Sequence, residues 1–146
     1  MILFVYTTLF FLIAVCMISQ GGQSGKAQSV RVRGILICDN IPATNVPVDI
    51  YNSGKGLDFD ELMGSNMTDK EGNFDVTGQT IGIKTVAAKL LVSHGCMNEK
   101  ADCQRMTSIM IPDIYISVGK ITRKLYDVGK IELATNFIAE TNDCVP

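Results

Sequence analysis

What most narrows the fold of this chain is a set of cysteines behind an uncharged, apolar leader. The first eighteen residues carry no charged side chain and are almost wholly apolar, and Ser19, Gln20, Gly21 and Gly22 follow them. This profile predicts a secretory signal peptide over residues 1–20, a loose Gly, Ser and Gln-rich leader over 21–28, and one folded domain over 29–146. The apolar stretch 2–18 sits at the lower limit of a membrane span and small residues follow it directly, so no transmembrane anchor is expected. Cys16 would leave with the signal peptide, and Cys38, Cys96, Cys103 and Cys144 would remain. An even set in a short exported chain reads as two disulfides, with three pairings possible. The polar stretch 97–104, with Asn98, Glu99, Lys100 and Asp102, suits a closed surface loop. It favours Cys96–Cys103, which leaves Cys38–Cys144.

At 146 residues with 47% hydrophobic content, the chain is long enough for one core and too short for two ordinary domains. Its formal net charge is −2, and Lys and Arg are scattered rather than stacked into a stripe, so nucleic acid is not an expected partner.

Residues 30–37 alternate apolar with charged, placing Val30 and Val32 on one face and Arg31 and Arg33 on the other, which predicts a strand. Asp39, Asn40 and Pro42 mark a turn, and Val46, Val48 and Ile50 then alternate with Pro47, Asp49 and Tyr51 in a second strand. Pro47 cannot donate a ladder hydrogen bond, so this strand is expected at a sheet edge or with Pro47 turned from its neighbour. Residues 52–64, glycine-rich and carrying Asp58, Asp60 and Glu61, read as a loop. Residues 68–74 read as a hairpin closed by Gly72. Further strands are expected over 84–92, 106–111 and 124–133, the last punctuated at Val128-Gly129-Lys130 by a bulge or a break. About seven short strands without an amphipathic helix predict an all-β sandwich of two antiparallel sheets.

In that order, Val32-Arg33-Gly34, Cys38, Pro42 and Asn45-Val46-Pro47-Val48 are followed by Asp58 to Leu62, Thr68-Asp69, Gly72-Asn73-Phe74 and Gly78. His94-Gly95-Cys96 and Tyr126-Asp127-Val128-Gly129-Lys130-Ile131-Glu132-Leu133 complete the series. Together these motifs resemble the transthyretin-like family expanded in nematodes, over residues 30–144. The resemblance implies a secreted, transthyretin-like sandwich with an extracellular binding role. Transthyretin's enzymatic relatives hydrolyse 5-hydroxyisourate with several histidines, an arginine and a short Tyr-Arg-Gly-Ser-type C-terminus. This chain has one histidine and ends Asn142-Asp143-Cys144-Val145-Pro146, so no enzyme is expected.

Four candidate sites remain. His94, Cys96 and Cys103 are three donors of the kind zinc takes, but bridged thiols cannot ligate, and His94 is read as structural; no metal or cofactor is expected. Asp58, Asp60 and Glu61 lack the ligand series of a calcium loop and read as a solvated acidic loop. Asn66-Met67-Thr68 is a glycosylation sequon, with Asn66 the acceptor if it faces water. The run from Met106 through Ile111 to Ile114, Tyr115 and Ile116 is read mostly as core, with surplus methionine available to line a groove. The expected role is a secreted binding or bridging module for a protein or lipid at the cell surface, or alternatively a carrier of a small apolar ligand. A homo-oligomer remains open.

Overall fold

The computed structural model describes residues 25–54, 60–98, 102–135 and 140–144; the expected signal peptide, Asp58 and the first half of the leader lie outside them. The strands are β1 (Lys26–Cys38), β2 (Ile41–Pro42), β3 (Pro47–Asn52), β4 (Glu61–Met67), β5 (Asn73–Gly82), β6 (Ala88–His94), β7 (Cys103–Met110), β8 (Ser117–Val118), β9 (Leu125–Glu132) and β10 (Glu140–Cys144). A single turn of 3-10 helix, Asp113–Tyr115, follows β7, and no α-helix occurs among the described residues. The strands form two five-stranded sheets.

In the first sheet β1 is central, with β5 and β2 along one side and β8 and β9 along the other. All pairings in the two sheets are antiparallel except β1 with β9, which run parallel. The second sheet runs β10-β7-β6-β3-β4. Period-two alternation turns Val30, Val32 and Leu36 of β1 inward with Phe74 and Val76 of β5. They meet Val48 and Ile50 of β3 and Ala88, Leu90 and Val92 of β6, all buried. Each fully buried Val, Leu or Ile contributes about 1.5–3 kcal/mol relative to leaving it in water.

Several elements differ from the sequence expectation. β1 begins at Lys26, three residues before Ser29, because β5 extends to Gly82 and pairs with it. The Gln28 side chain reinforces this start, donating to Lys84 O at 2.8 Å and accepting from Val86 N at 3.1 Å. β3 is not an edge strand: it lies between β4 and β6. Pro47 is tolerated because it is the first residue of the strand, and the ladder with β6 starts only at Val48. Residues 68–74 turn the chain, with Gly72 at φ +79°, but β4 and β5 are not a paired hairpin. They belong to different sheets, and the turn is the corner by which the chain crosses between them. The Val128-Gly129 bulge is present, as the β1–β9 register shifts between Arg33 and Ile35. The strand expected over 84–92 starts only at Ala88, since the backbone of Lys84 and Val86 bonds to Gln28 instead of to a ladder.

Candidate functional site

The four cysteines are all bridged, but in neither expected pair. Cys38 joins Cys96, and Cys103 joins Cys144. The β6–β7 ladder ends at His94 opposite Arg105, and continued straight it would have set Cys96 against Cys103. Instead the chain turns at Gly95, where Asn98 N donates to Gly95 O at 3.2 Å. Cys96 is thereby carried across to Cys38 at the end of β1 in the other sheet. Cys103 is free to face Cys144 because β10, absent from the sequence reading, pairs with β7 and sets the two cysteines directly opposite.

This pairing leaves Cys96 and Cys103 no thiolate for a metal. His94 is buried: its Nδ1 accepts the Cys96 amide at 3.3 Å, so the ring proton resides on Nε2 and points at Thr107 Oγ1, 3.2 Å away. Beside it, the buried Arg105 guanidinium donates to Cys96 O at 2.9 Å and to Leu133 O and Thr135 O at 3.3 Å. Histidine and arginine thus tie the chain around the Cys38–Cys96 bridge. Of the acidic candidates, Asp60 pairs with Lys89, whose hydrogen bond is the main reason its carboxyl lies below the ordinary range. Glu61 accepts from Thr80 Oγ1 at 2.7 Å and from Asn52 Nδ2 at 3.3 Å. Both carboxylates are engaged by protein donors.

The outer face of the first sheet carries an open cleft of about 720 Å3, in which Arg33, Asn66, Asn73, Asp75, Asp127 and Lys130 line the wall beside Ile35, Met67 and Phe74. Strand register builds it, because Arg33 lies between Asp75 of β5 and Asp127 of β9. Arg31 grips Asp75 through two bonds of 2.6 and 2.9 Å, and Arg33 Nε meets Asp127 at 2.9 Å. The Asp75 carboxyl is held below the ordinary range chiefly by the Arg31 hydrogen bond. That of Asp127 is lowered first by the Gly129 amide and then by Arg33. Glu132 is lowered by the Ala134 amide, with Asp39 and Asn40 amides also bound.

These depressed carboxyls have one consequence for stability. Their folded-state values lie below the unfolded ones, so their contribution is complete above about pH 4 and is lost as pH falls through the folded values. Solvent screens such exposed groups, which keeps the effect modest. The urea midpoint should therefore stay flat from about pH 5 to 7 and fall below about pH 4. In the D75N/D127N variant the acid fall should be shallower; an unchanged slope would refute the assignment.

A second surface forms at the opposite kind of place, one end of the sandwich. β1 starts there, β5 ends there at Gly82, and β7 ends there at Met110 opposite Lys89. The loop after β8 joins them, since Gly119 N donates to Ala27 O at 2.7 Å and Arg123 N to Ser117 Oγ at 2.9 Å. Ile81, Ile83, Met110, Ile114, Val118 and Ile121 are all exposed on the elements of this end. Lys26, Lys84, Lys120, Arg123 and Lys124 are exposed on the same elements, and none forms an ion pair among the described residues.

The apolar run over 106–116 is mostly core, as expected: Ile111 is enclosed and Ile109, Tyr115 and Ile116 pack against the core, while Met110 and Ile114 stand exposed. Arg105 and Thr107 take the inward positions of β7, which turns Met106 and Met110 outward, and Ile111 is its one fully enclosed member. The end surface was not recognised in the sequence, although isoleucines at turn positions 114 and 121 were the visible signal.

The profile of the transthyretin-like family, TTR-52, matches residues 33–112. Transthyretin-like protein 5 of Caenorhabditis elegans is 41% identical, over 83% of this chain and 87% of that protein. Transthyretin-like protein 33 from the same organism is 32% identical over 95% of this chain and 94% of its own. Transthyretin-like protein 2 is 36% identical over 83% and 85%. Among solved structures, a 9R-lipoxygenase chain from Cyanothece aligns with a TM-score of 0.42 at 19% identity, over 73% of this chain and 16% of that one. A likeness that loose carries nothing about chemistry. Matched by the family profile over residues 33–112 and by these relatives over most of its length, the chain belongs to the transthyretin-like family.

Proposed function

We propose that this protein is a secreted extracellular module that binds or bridges a protein or lipid at a cell surface through the apolar, cation-rimmed end of its sandwich. The observation that carries the reading is that end itself. Six large apolar side chains stand exposed on the strand ends and turns that meet there, and exposed apolar groups gathered at one end favour an interaction site. The surrounding lysines and arginine favour an acidic partner surface or anionic headgroups, which supply steering as well as contact. Two disulfides fit an oxidising compartment. The carrier alternative draws less support, because the cleft stands open to solvent and sets charged and amide side chains beside Ile35, Met67 and Phe74 instead of enclosing an apolar cavity.

The test is saturable binding of the labelled, secreted chain to intact cells. In I83S/I121S the two altered positions are 71% and 81% exposed, so the fold should tolerate the change within about 0.5 kcal/mol. Cell binding should weaken by at least about tenfold, since burying each isoleucine is worth about 1.5–3 kcal/mol. Binding that survives protease treatment of the cells assigns a lipid partner, and binding lost with that treatment assigns a protein. Absence of saturable binding, or a variant that binds like the parent, overturns the reading.

A further inference from the structure

Asn66 lies near the end of β4, the edge strand of its sheet, with its side chain exposed and lining the cleft. Its Oδ1 accepts from Met67 N at 2.9 Å, and its Nδ2 donates to Asp75 O, across the corner on β5, at 2.7 Å. That bond uses one of the two Nδ2 hydrogens, so the other position is open to substitution. The hydroxyl of the sequon is placed differently. Thr68 is only 3% exposed, and its Oγ1 donates to Ala43 O at 2.6 Å while accepting from Val46 N at 2.9 Å. The folded chain presents the acceptor amide to water and hides the hydroxyl that makes Asn66-Met67-Thr68 a recognisable sequon.

We propose that Asn66 carries an N-linked glycan added before β3 and β4 close around Thr68, and that its proximal sugars lie in the adjoining cleft. In the transfer, a bond forms between Nδ2 and C1 of an oligosaccharide carried on a lipid diphosphate. The C1–O bond to the diphosphate breaks, Nδ2 loses one proton, and the lipid diphosphate leaves. The remaining N–H keeps the hydrogen bond to Asp75 O, which fixes the first sugar at the lip of the cleft. Asn73, Asp75, Asp127 and Lys130 offer sugar hydroxyls both donors and acceptors, and the cleft volume of about 720 Å3 lies within the range of pockets that hold small ligands. Folding and modification compete for Thr68, so slower folding should raise occupancy.

The inference rests on the secreted reading above, and the experiment separates the two. The full chain is expressed in a eukaryotic secretory host, and the intact mass of the exported protein is compared before and after enzymatic release of N-glycans. The expected results are a glycan on the parent, none on N66Q, and a glycan again on T68S, which preserves the hydroxyl. In the cell-associated pool, where folding is not required for the readout, C38S/C96S should show higher occupancy than the parent. Acylation of Lys130, followed by peptide mass, should be several-fold slower in the glycosylated protein than after glycan release, while Lys26, at the far end of β1, should not change. Exported protein without a glycan at Asn66 overturns the proposal and leaves the secreted reading standing. A glycan that leaves Lys130 reactivity unchanged overturns the placement in the cleft, and a chain that is never exported overturns both readings.

Discussion

Replacing Cys38 and Cys96 with serine is expected to lower the stability of the folded chain by about 4 kcal/mol, the chain-entropy value for a bridge closing a loop of this size. The bridge spans 58 residues and connects the end of β1 in one sheet to the turn after β6 in the other. Among the described residues no hydrogen-bonded ladder joins the two sheets, so this covalent link restrains separation that packing and a few side-chain bonds, such as Arg105 to Leu133 O and Asn66 to Asp75 O, must otherwise resist. In a domain of this size the loss corresponds to a fall of roughly 10–25 °C in the thermal midpoint. The Cys103–Cys144 bridge has a comparable span of 41 residues, and loop entropy alone would give it nearly equal weight. Its effect should nevertheless be smaller. Cys144 ends β10, an edge strand with residues 141–144 exposed, and β10 can detach while the remaining sheets stay folded. The loss in C103S/C144S is capped at the docking free energy of that strand. Thermal and urea unfolding of the two double variants under non-reducing conditions checks this, and equal losses would show that loop closure, not sheet pinning, governs stability.

Gly64→Ala is expected to cost about 3 kcal/mol or more, the upper range for overpacking, and to do so through backbone rather than side-chain displacement. A Cβ built on Gly64 would lie 2.1 Å from Thr77 O and 3.0 Å from Gly78 Cα. These atoms belong to β5, in the other sheet, so the corner where β4 and β5 approach must open. The Asn66 bond to Asp75 O crosses the same corner and would lengthen with it. Gly78→Ala provides the contrast. Its Cβ would meet Met63 Cβ at 2.9 Å and Ile50 Cγ2 at 3.2 Å, a smaller overlap than at Gly64, although Met63 Cβ moves only with its backbone. Urea denaturation should rank Gly64→Ala as the more destabilising of the two. A Gly64→Ala protein within about 0.5 kcal/mol of the parent would mean that the corner is looser than its geometry implies.

The alternation of β1 was legible because it is local. Val30, Val32, Arg31 and Arg33 declare their faces through a period of two, and that period survives any arrangement of neighbours. The Gly72 turn and the Val128-Gly129 bulge were legible for a similar reason, being set by residues adjacent in the chain. The features left open or misplaced were those that depend on which strands meet. For Pro47 the missing donor left two outcomes, an edge strand or a residue turned from its neighbour, and only the β6 ladder beginning one residue later decides against the edge. The 68–74 turn looked like a hairpin because a tight turn between extended runs has the same sequence whether it joins neighbours in one sheet or crosses between two.

By itself the sequence determined the class of fold, the family, the inward face of β1 and the set of cysteines available for bridging. These follow from composition, periodicity and motif order, which are properties of neighbours along the chain. Only the tertiary structure decided how those cysteines pair, because a bond needs two thiols within reach and their positions were set by the Gly95 turn and by β10 lying on β7. The tertiary structure likewise gathered isoleucines 81, 83, 114 and 121 onto one end and set Asn66 beside a cleft made by three other strands. Surfaces of that kind are assembled from residues far apart in sequence, and no local pattern records their meeting.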